Sequence, residues 1–195
     1  AGAMTVDLGA NTTLPPAISD TIHIKSPTVD LRVPAVGDTL RVIGSREGQL
    51  ITDHLKLPAT IVDEEVVANP AEDILKFAVV ERHRATGGYQ VGFIRGFGLK
   101  SGAIAGSIAH DHHNLVVIGA EDASMQRALR AVIDMGGGLA VAQGDLILAT
   151  LPLPIAGLMS DKPVAIVRAG YDALIAAARS LGSPMHDPFM AMSFM

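Results

Sequence analysis

The chain contains 195 residues with a formal net charge of −5, so its surface is unsuited to binding nucleic acid or an anionic membrane. Hydrophobic residues make up 49% of the chain and supply a sizeable core, yet no apolar run approaches the roughly 18–20 residues of a membrane span. The chain has no cysteine, which excludes disulfides, thiolate metal ligands and a cysteine nucleophile, and a cytoplasmic protein is expected.

The first 33 residues differ in character from the rest of the chain. Pro15, Pro16 and Pro27 interrupt any regular periodicity there. Residues 1–33 are therefore predicted to form a poorly structured leader, and residues 34–195 to form one domain.

Short apolar runs bounded by glycines and other turn residues predict a domain rich in strands. Thr86-Gly87-Gly88 is typical of a hairpin connection. The run 96–109, mostly alanine, glycine and serine, is interpreted as a strand or a strand–turn crossing close to another backbone. The other predicted strands are 39–43, 49–57, 59–62, 65–68, 74–81, 89–94, 115–118, 139–142 and 146–149.

Two segments have helical periodicity. The first is predicted to begin at Asp122 as its N-cap and to end before the glycines at 136–138. The second is predicted to be capped by Ser160 or Asp161 and to end at Gly182. Its predicted core face is Val164, Val167, Tyr171, Leu174, Ile175, Ala178 and Leu181. The expected fold class is α+β, with a mixed, largely antiparallel sheet packed against two principal helices.

The polar run His110-Asp-His-His-Asn114 lies between two apolar runs that read as buried strands. Polar groups in such a setting need partners, because an unpaired buried polar group costs about 1–3 kcal/mol. On an extended strand His110 and His112 would share one face, which is the geometry of a metal-binding pair. This concentration of titratable groups makes the run the first candidate for a functional site.

Four ordered motifs carry a resemblance that extends from about Val33 to the end of the chain. They are Gly92-Phe-Ile-Arg-Gly-Phe-Gly-Leu-Lys100, Ile108-Ala-His-Asp-His-His-Asn114, Leu151-Pro-Leu-Pro-Ile-Ala-Gly-Leu-Met-Ser-Asp161 and Asp187-Pro-Phe-Met190. Together they resemble the C-terminal region of bacterial adenine deaminases, members of the amidohydrolase superfamily. The resemblance implies hydrolysis of adenine to hypoxanthine and ammonia, a step of purine salvage, at a divalent-metal centre.

The resemblance also implies that the metal lies elsewhere. In that family the ligands are a His-x-His pair, a carboxylate, two further histidines and an Asp on an upstream barrel, for which this chain has no room. The metal, of the manganese or iron type, is therefore expected in the missing barrel and not in this chain. The cysteine-containing signature of cytidine-deaminase-type enzymes is absent too. The family usually has a small polar residue in place of His112, so a metal-binding pair of His110 and His112 is not expected.

Two interpretations of the polar run stay open. In the first, His110, Asp111, His113 and Asn114 form a hydrogen-bonded clamp that reaches the barrel's active site or orders a lid over it. In the second, they form a buried network at a domain interface. Arg95 and Lys100 are candidates on the substrate side, either pairing with Asp111 or lining an opening; the alternative is solvated charges at strand edges.

Two functional hypotheses follow. The first is the C-terminal domain of an adenine deaminase, with adenine and the upstream barrel as partners and with the isolated chain inactive. The alternative is a non-catalytic interaction module that holds a homo-oligomer together and never touches substrate.

Overall fold

The structure of the protein, a computed structural model, describes residues 15–195. The structure contains one large sheet and, apart from it, a two-stranded hairpin. The strands are β1 (Thr39–Gly44), β2 (Asp53–Pro58), β3 (Thr60–Val62), β4 (Glu65–Val67), β5 (Leu75–Val80), β6 (Tyr89–Arg95), β7 (Ala103–Gly106), β8 (Leu115–Gly119), β9 (Gly138–Gln143) and β10 (Leu146–Pro152). The helices are α1 (Pro16–Ser19), α2 (Asp122–Asp134), α3 (Val164–Ser180) and α4 (Pro188–Met192), with a 3-10 turn at Pro70–Glu72.

The large sheet has eight strands in the order β10-β9-β7-β8-β5-β6-β1-β2. Every neighbouring pair is antiparallel except β1 and β6, which are parallel. The hairpin predicted at Thr86–Gly88 joins β5 to β6, and the predicted strands 139–142 and 146–149 pair as the hairpin β9–β10. The predicted α+β class, with a mixed and largely antiparallel sheet, is confirmed.

The two faces of the sheet carry different layers. Alternate residues of β5, β7 and β8, such as Ala78 and Val117, pack against α2 on one face. Their neighbours, such as Phe77 and Ile118, pack against α3 and α4 on the other. This alternation follows from the two-residue side-chain period of strands, and it buries both faces of the sheet.

Both long helices form where their periodicity predicts, but their first turns differ from the prediction. Glu121, not Asp122, is the N-cap of α2; Asp122 is its first helical residue. Pro163 occupies the N-cap position of α3, so neither Ser160 nor Asp161 caps it, and Val164 is 84% exposed instead of lying in the core. Leu174, Ala178 and Leu181 are buried as predicted. The helical period therefore located the core face correctly from the second turn onward.

Most strand boundaries were predicted closely, but β7 covers only 103–106 of the predicted run 96–109, and β10 extends past the predicted 149 to Pro152. β2 begins at Asp53, so residues 49–52 belong to the loop after β1. Between β3 and β4, Asp63 and Glu64 both have positive φ (48° and 64°), as a tight two-residue hairpin turn requires. These acidic residues therefore serve the turn.

The motif that ends in Lys100 has a structural role at the end of β6. Asp73 accepts hydrogen bonds from the backbone N–H groups of Gly96 (2.8 Å) and Gly98 (2.6 Å). Gly96 has φ +112°, and a Cβ there would lie 2.4 Å from the carbonyl oxygen of Ser45. Glycine is required at this position because any side chain would collide with the backbone of the neighbouring loop.

Residues within the predicted leader contact the domain directly. Val29 and Leu31 are buried against the α2 face of the sheet. The buried Lys76 donates hydrogen bonds to the carbonyl oxygen of Leu31 (2.9 Å) and to Asp122 (2.8 Å), which joins this segment to β5 and α2. Residues 1–14 of the leader lie outside the described part of the chain. Within residues 15–195, none of the helices is long and apolar enough to cross a membrane.

Candidate functional site

Residues 107–114, here called the polar turn, connect β7 to β8 at one end of the sheet. Gly106 pairs with Val116 and Val80 pairs with Leu115, so β7 and β5 end where β8 begins. His110 to His112 form a turn and not an extended strand. The argument that His110 and His112 share one strand face does not apply to this geometry.

The polar turn meets two of the other motifs. The backbone N–H of His110 donates to the carbonyl oxygen of Ser193 (2.6 Å), immediately after α4. The hydroxyl of the buried Ser107 donates to the carbonyl oxygen of Gly157, in the loop after β10, and accepts from the N–H of Gly138 (2.8 Å). Three motifs separated in sequence thus converge on one end of the sheet.

Arg82 links the segments that meet at this end of the sheet. Its side chain is buried, and it donates through Nε to the carbonyl oxygen of His113 and through Nη2 to that of Ala156 (3.0 Å). Nη1 donates to the carbonyl oxygen (2.9 Å) and the hydroxyl (3.0 Å) of Thr21. Within residues 15–195 no carboxylate pairs with it, and burial lowers the pKa of its guanidinium. Arg82 is thus a buried cation satisfied by neutral acceptors from three segments.

The conformation of the polar turn is fixed by its own hydrogen bonds. The backbone N–H of His113 donates to the carbonyl oxygen of Ala109, and that of Asn114 donates to Nδ1 of His112 (3.0 Å). The ring of His112 thus closes the turn onto the backbone of Asn114. Nε2 of the exposed His83 lies 2.9 Å from the carbonyl oxygen of His112. Arg82 and His83 therefore bind two successive carbonyls of the turn.

The side chains of the polar turn present an exposed surface and two buried, unpartnered atoms. His110, Asp111 and His112 are exposed, whereas His113 and Asn114 are half-buried. Nδ1 of His113 and Oδ1 of Asn114 are buried and have no hydrogen-bond partner among the residues that the structure describes. Unpartnered buried polar atoms are rare in folded proteins and call for an explanation.

The imidazole of His113 is partly buried and packs beside that of His110. The ring of His113 lies 5.6 Å from that of His110 in an edge-to-face arrangement, and the ring of His110 lies 5.0 Å from Phe194. Burial, followed by the positive potentials of His110 and Arg82, lowers the pKa of His113. His113 is therefore a neutral imidazole at neutral pH, able to donate one hydrogen bond and accept another.

The side chains of the polar turn are not arranged as a metal site. Between residues 15 and 195, no group of three or more His, Asp or Glu side chains is arranged to hold a metal ion. The divalent ion that the sequence resemblance implies therefore has no fitting ligand set in this part of the chain.

Arg95 and Lys100 lie at the opposite end of the sheet from the polar turn. In the β5–β6 register, Ile94 pairs with Leu75 at the start of β5, while the polar turn adjoins the other end of β5. Lys100 donates through Nζ to the carbonyl oxygen of Pro70 (2.9 Å), and Arg95 is exposed. The structure does not bring either residue to Asp111.

Arg82 was not among the site residues predicted from the sequence. The two-residue side-chain period of β5 predicts that Arg82 is buried. Lys76, Ala78 and Val80 are the residues of β5 that face α2, and Arg82 continues that alternation beyond the end of the strand. A residue in step with a buried strand face is a candidate for burial even when it is charged.

Fold and site together define an α+β domain with a hydrogen-bonded polar turn at one sheet end and no ligand set for a metal within its described residues. Comparison with known proteins identifies the family. The sequence profile described as "Adenine deaminase C-terminal domain" matches residues 49–195. The chain belongs to this family.

Curated relatives agree with this assignment. An adenine deaminase of Desulfatibacillum aliphaticivorans is 46% identical over 86% of this chain and 29% of its own length. One of Oleidesulfovibrio alaskensis is 47% identical over 91% of the chain and 31% of its own length. One of Moorella thermoacetica is 40% identical over 100% of the chain and 33% of its own length. The chain therefore spans about a third of the length of the curated relatives that it matches.

Proposed function

We propose that this chain is the C-terminal part of an enzyme that hydrolyses adenine to hypoxanthine and ammonia, a cytoplasmic step of purine salvage. The observation that carries the proposal is the match of residues 49–195 to the C-terminal domain of adenine deaminases. The names of relatives at 40–47% identity support the same substrate and reaction.

In this proposal the divalent metal, of the manganese or iron type, belongs to the amidohydrolase barrel in the remaining two-thirds of the enzyme. The lack of a fitting ligand set in residues 15–195 supports this division. This chain's own contribution is to position groups around the active site.

We assign that positioning role to the polar turn. His110 and Asp111 are exposed on a turn whose backbone is held by Arg82 and His83. A side chain on a fixed backbone supplies a donor or acceptor at a defined place, and such groups accelerate reactions by orientation without binding the metal.

Kinetics of the full-length enzyme test the role of the turn. Asp111→Asn and His113→Ala should each lower turnover about tenfold or more, because misplaced groups slow the reaction, while the metal content stays unchanged. His112→Ser should be the mildest change, since a serine hydroxyl can also accept the N–H of Asn114 that His112 Nδ1 now accepts. Ammonia release and metal analysis on the same preparations measure both effects.

The possible results separate the hypotheses. Loss of a bound ion in His110→Ala or His112→Ser would contradict the positioning role and favour a metal pair. Full activity in every variant would leave the turn as a structural network in a non-catalytic interaction module. Failure of the unsubstituted full-length protein to release ammonia from adenine would overturn the proposed function itself.

A further inference from the structure

Two successive residues beyond the end of β5, Arg82 and His83, bind two successive carbonyl oxygens of the polar turn. Arg82 donates through Nε to the carbonyl oxygen of His113, and Nε2 of His83 lies 2.9 Å from that of His112. A carbonyl oxygen can only accept a hydrogen bond, so the ring of His83 is the donor in this contact. The two side chains together attach the second half of the turn to β5.

The segment that carries these two donors is itself held on both sides. The backbone N–H of His23 donates to the carbonyl oxygen of Arg82 (2.7 Å), and the guanidinium of Arg82 binds Thr21. The carboxylate of Glu81 accepts three backbone N–H groups within residues 83–86. Arg82 and His83 therefore have defined positions from which they can fix the polar turn.

The other hydrogen bonds at this part of the turn are local. The N–H of His113 and the N–H of Asn114 both find acceptors within residues 107–114. Such bonds shape the turn, whereas the bonds from Arg82 and His83 anchor it to the sheet. The exposed side chains of His110 and Asp111 precede the anchored carbonyls by only a few residues, so their placement depends on that anchor.

We propose that Arg82 and His83 are positioning residues for the deamination, an inference that rests on the proposed function. By binding the carbonyl oxygens of His112 and His113, they set where His110 and Asp111 stand relative to the reacting adenine. Neither donor needs to touch adenine or the metal for this role. A displacement of about 1 Å in a positioned group can slow a reaction on the order of a hundredfold.

Substitutions of His83 in the full-length enzyme test the proposal without disturbing the core, because this side chain is exposed. His83→Ala should lower kcat and kcat/KM together, by roughly tenfold, because the released turn misplaces its side chains in the transition state. His83→Gln should retain most of the turnover, because its amide can donate to the same carbonyl oxygen. Arg84→Ala, at the next exposed position, is the control and should leave turnover unchanged.

A second comparison separates position from stability by using two buried cations at opposite ends of β5. Lys76 is 3% exposed and donates to Leu31 and Asp122, at the end of β5 far from the polar turn. Lys76→Met should destabilise the fold, yet it should change kcat by less than about twofold under conditions where the enzyme is folded. Arg82→Lys should lower kcat roughly tenfold under the same conditions.

Hydrogen exchange in the full-length enzyme, measured without adenine, reports on the anchor directly. Amides of residues 107–114 should exchange about tenfold faster in His83→Ala and in Arg82→Lys, because the turn opens locally more often when a donor is lost. Lys76→Met should leave the exchange of residues 107–114 unchanged. This measurement does not depend on activity.

Unaltered turnover in both His83→Ala and Arg82→Lys would overturn the proposal, even if exchange of the turn became faster. Equal losses of kcat in Arg82→Lys and Lys76→Met would overturn it too, because activity would then follow stability and not position. An equal loss in His83→Gln and His83→Ala would exclude the hydrogen bond as the cause. If Arg82→Lys does not fold, the His83 series decides alone. Absence of ammonia release by the unsubstituted enzyme would instead overturn the proposed function itself.

Discussion

Replacing Arg82 with alanine is expected to lower the free energy of unfolding by about 4 kcal/mol or more. The substitution leaves the carbonyl oxygens of Thr21, His113 and Ala156 without their donor at a buried site. Each unsatisfied buried acceptor costs about 1–3 kcal/mol, and lost packing of the side chain adds to this. The loss of stability should be large because this one side chain donates hydrogen bonds to three separate segments.

Urea denaturation of matched variants measures this effect. Arg84→Ala is the control, since Arg84 has the same charge two residues away but is exposed, and its substitution should change stability by less than ~0.5 kcal/mol. Arg82→Lys should be intermediate, because an ammonium cannot span the three carbonyls that the planar guanidinium reaches. Equal urea midpoints for Arg82→Ala and Arg84→Ala would mean that the hydrogen bonds of the buried Arg82 side chain do not stabilise the fold.

Truncating a buried leucine on either long helix should lower the free energy of unfolding by a comparable amount. Leu129 of α2 and Leu174 of α3 are almost completely buried, on opposite faces of the sheet. Leu129→Ala and Leu174→Ala should each cost about 2–5 kcal/mol through lost burial and the cavity left behind. Val164→Ala, at an exposed position of α3, is the control and should shift the urea midpoint little. Unchanged midpoints for both leucine variants would mean that the sheet does not pack between these helices.

The parts of the fold that were predicted from sequence depend on local periodicity. The hairpin β9–β10 follows from two apolar runs around Gly144, and α2 and α3 follow from apolar residues at helical spacing. The errors lie at element ends. At an element end, the role of a residue depends on its tertiary contacts. Asp122, for example, pairs with Lys76 instead of capping α2.

The candidate site was located by sequence but its geometry was not. The polar run from His110 to Asn114 does lie at a sheet end, yet as a turn and not as a strand. The partners of Arg82 could not be assigned from local pattern, because its acceptors lie 31, 61 and 74 residues away. Convergence of distant motifs on one side chain is a property of the folded chain.

The most direct test of the account is ammonia release from adenine by this 195-residue chain and by the full-length protein, each supplied with manganese or iron. In the proposed function the metal-dependent catalytic centre belongs to the remaining two-thirds of the enzyme. The proposed function predicts ammonia and hypoxanthine from the full-length protein and no turnover by the chain alone. Turnover of the isolated chain at even ~1 per second would contradict it.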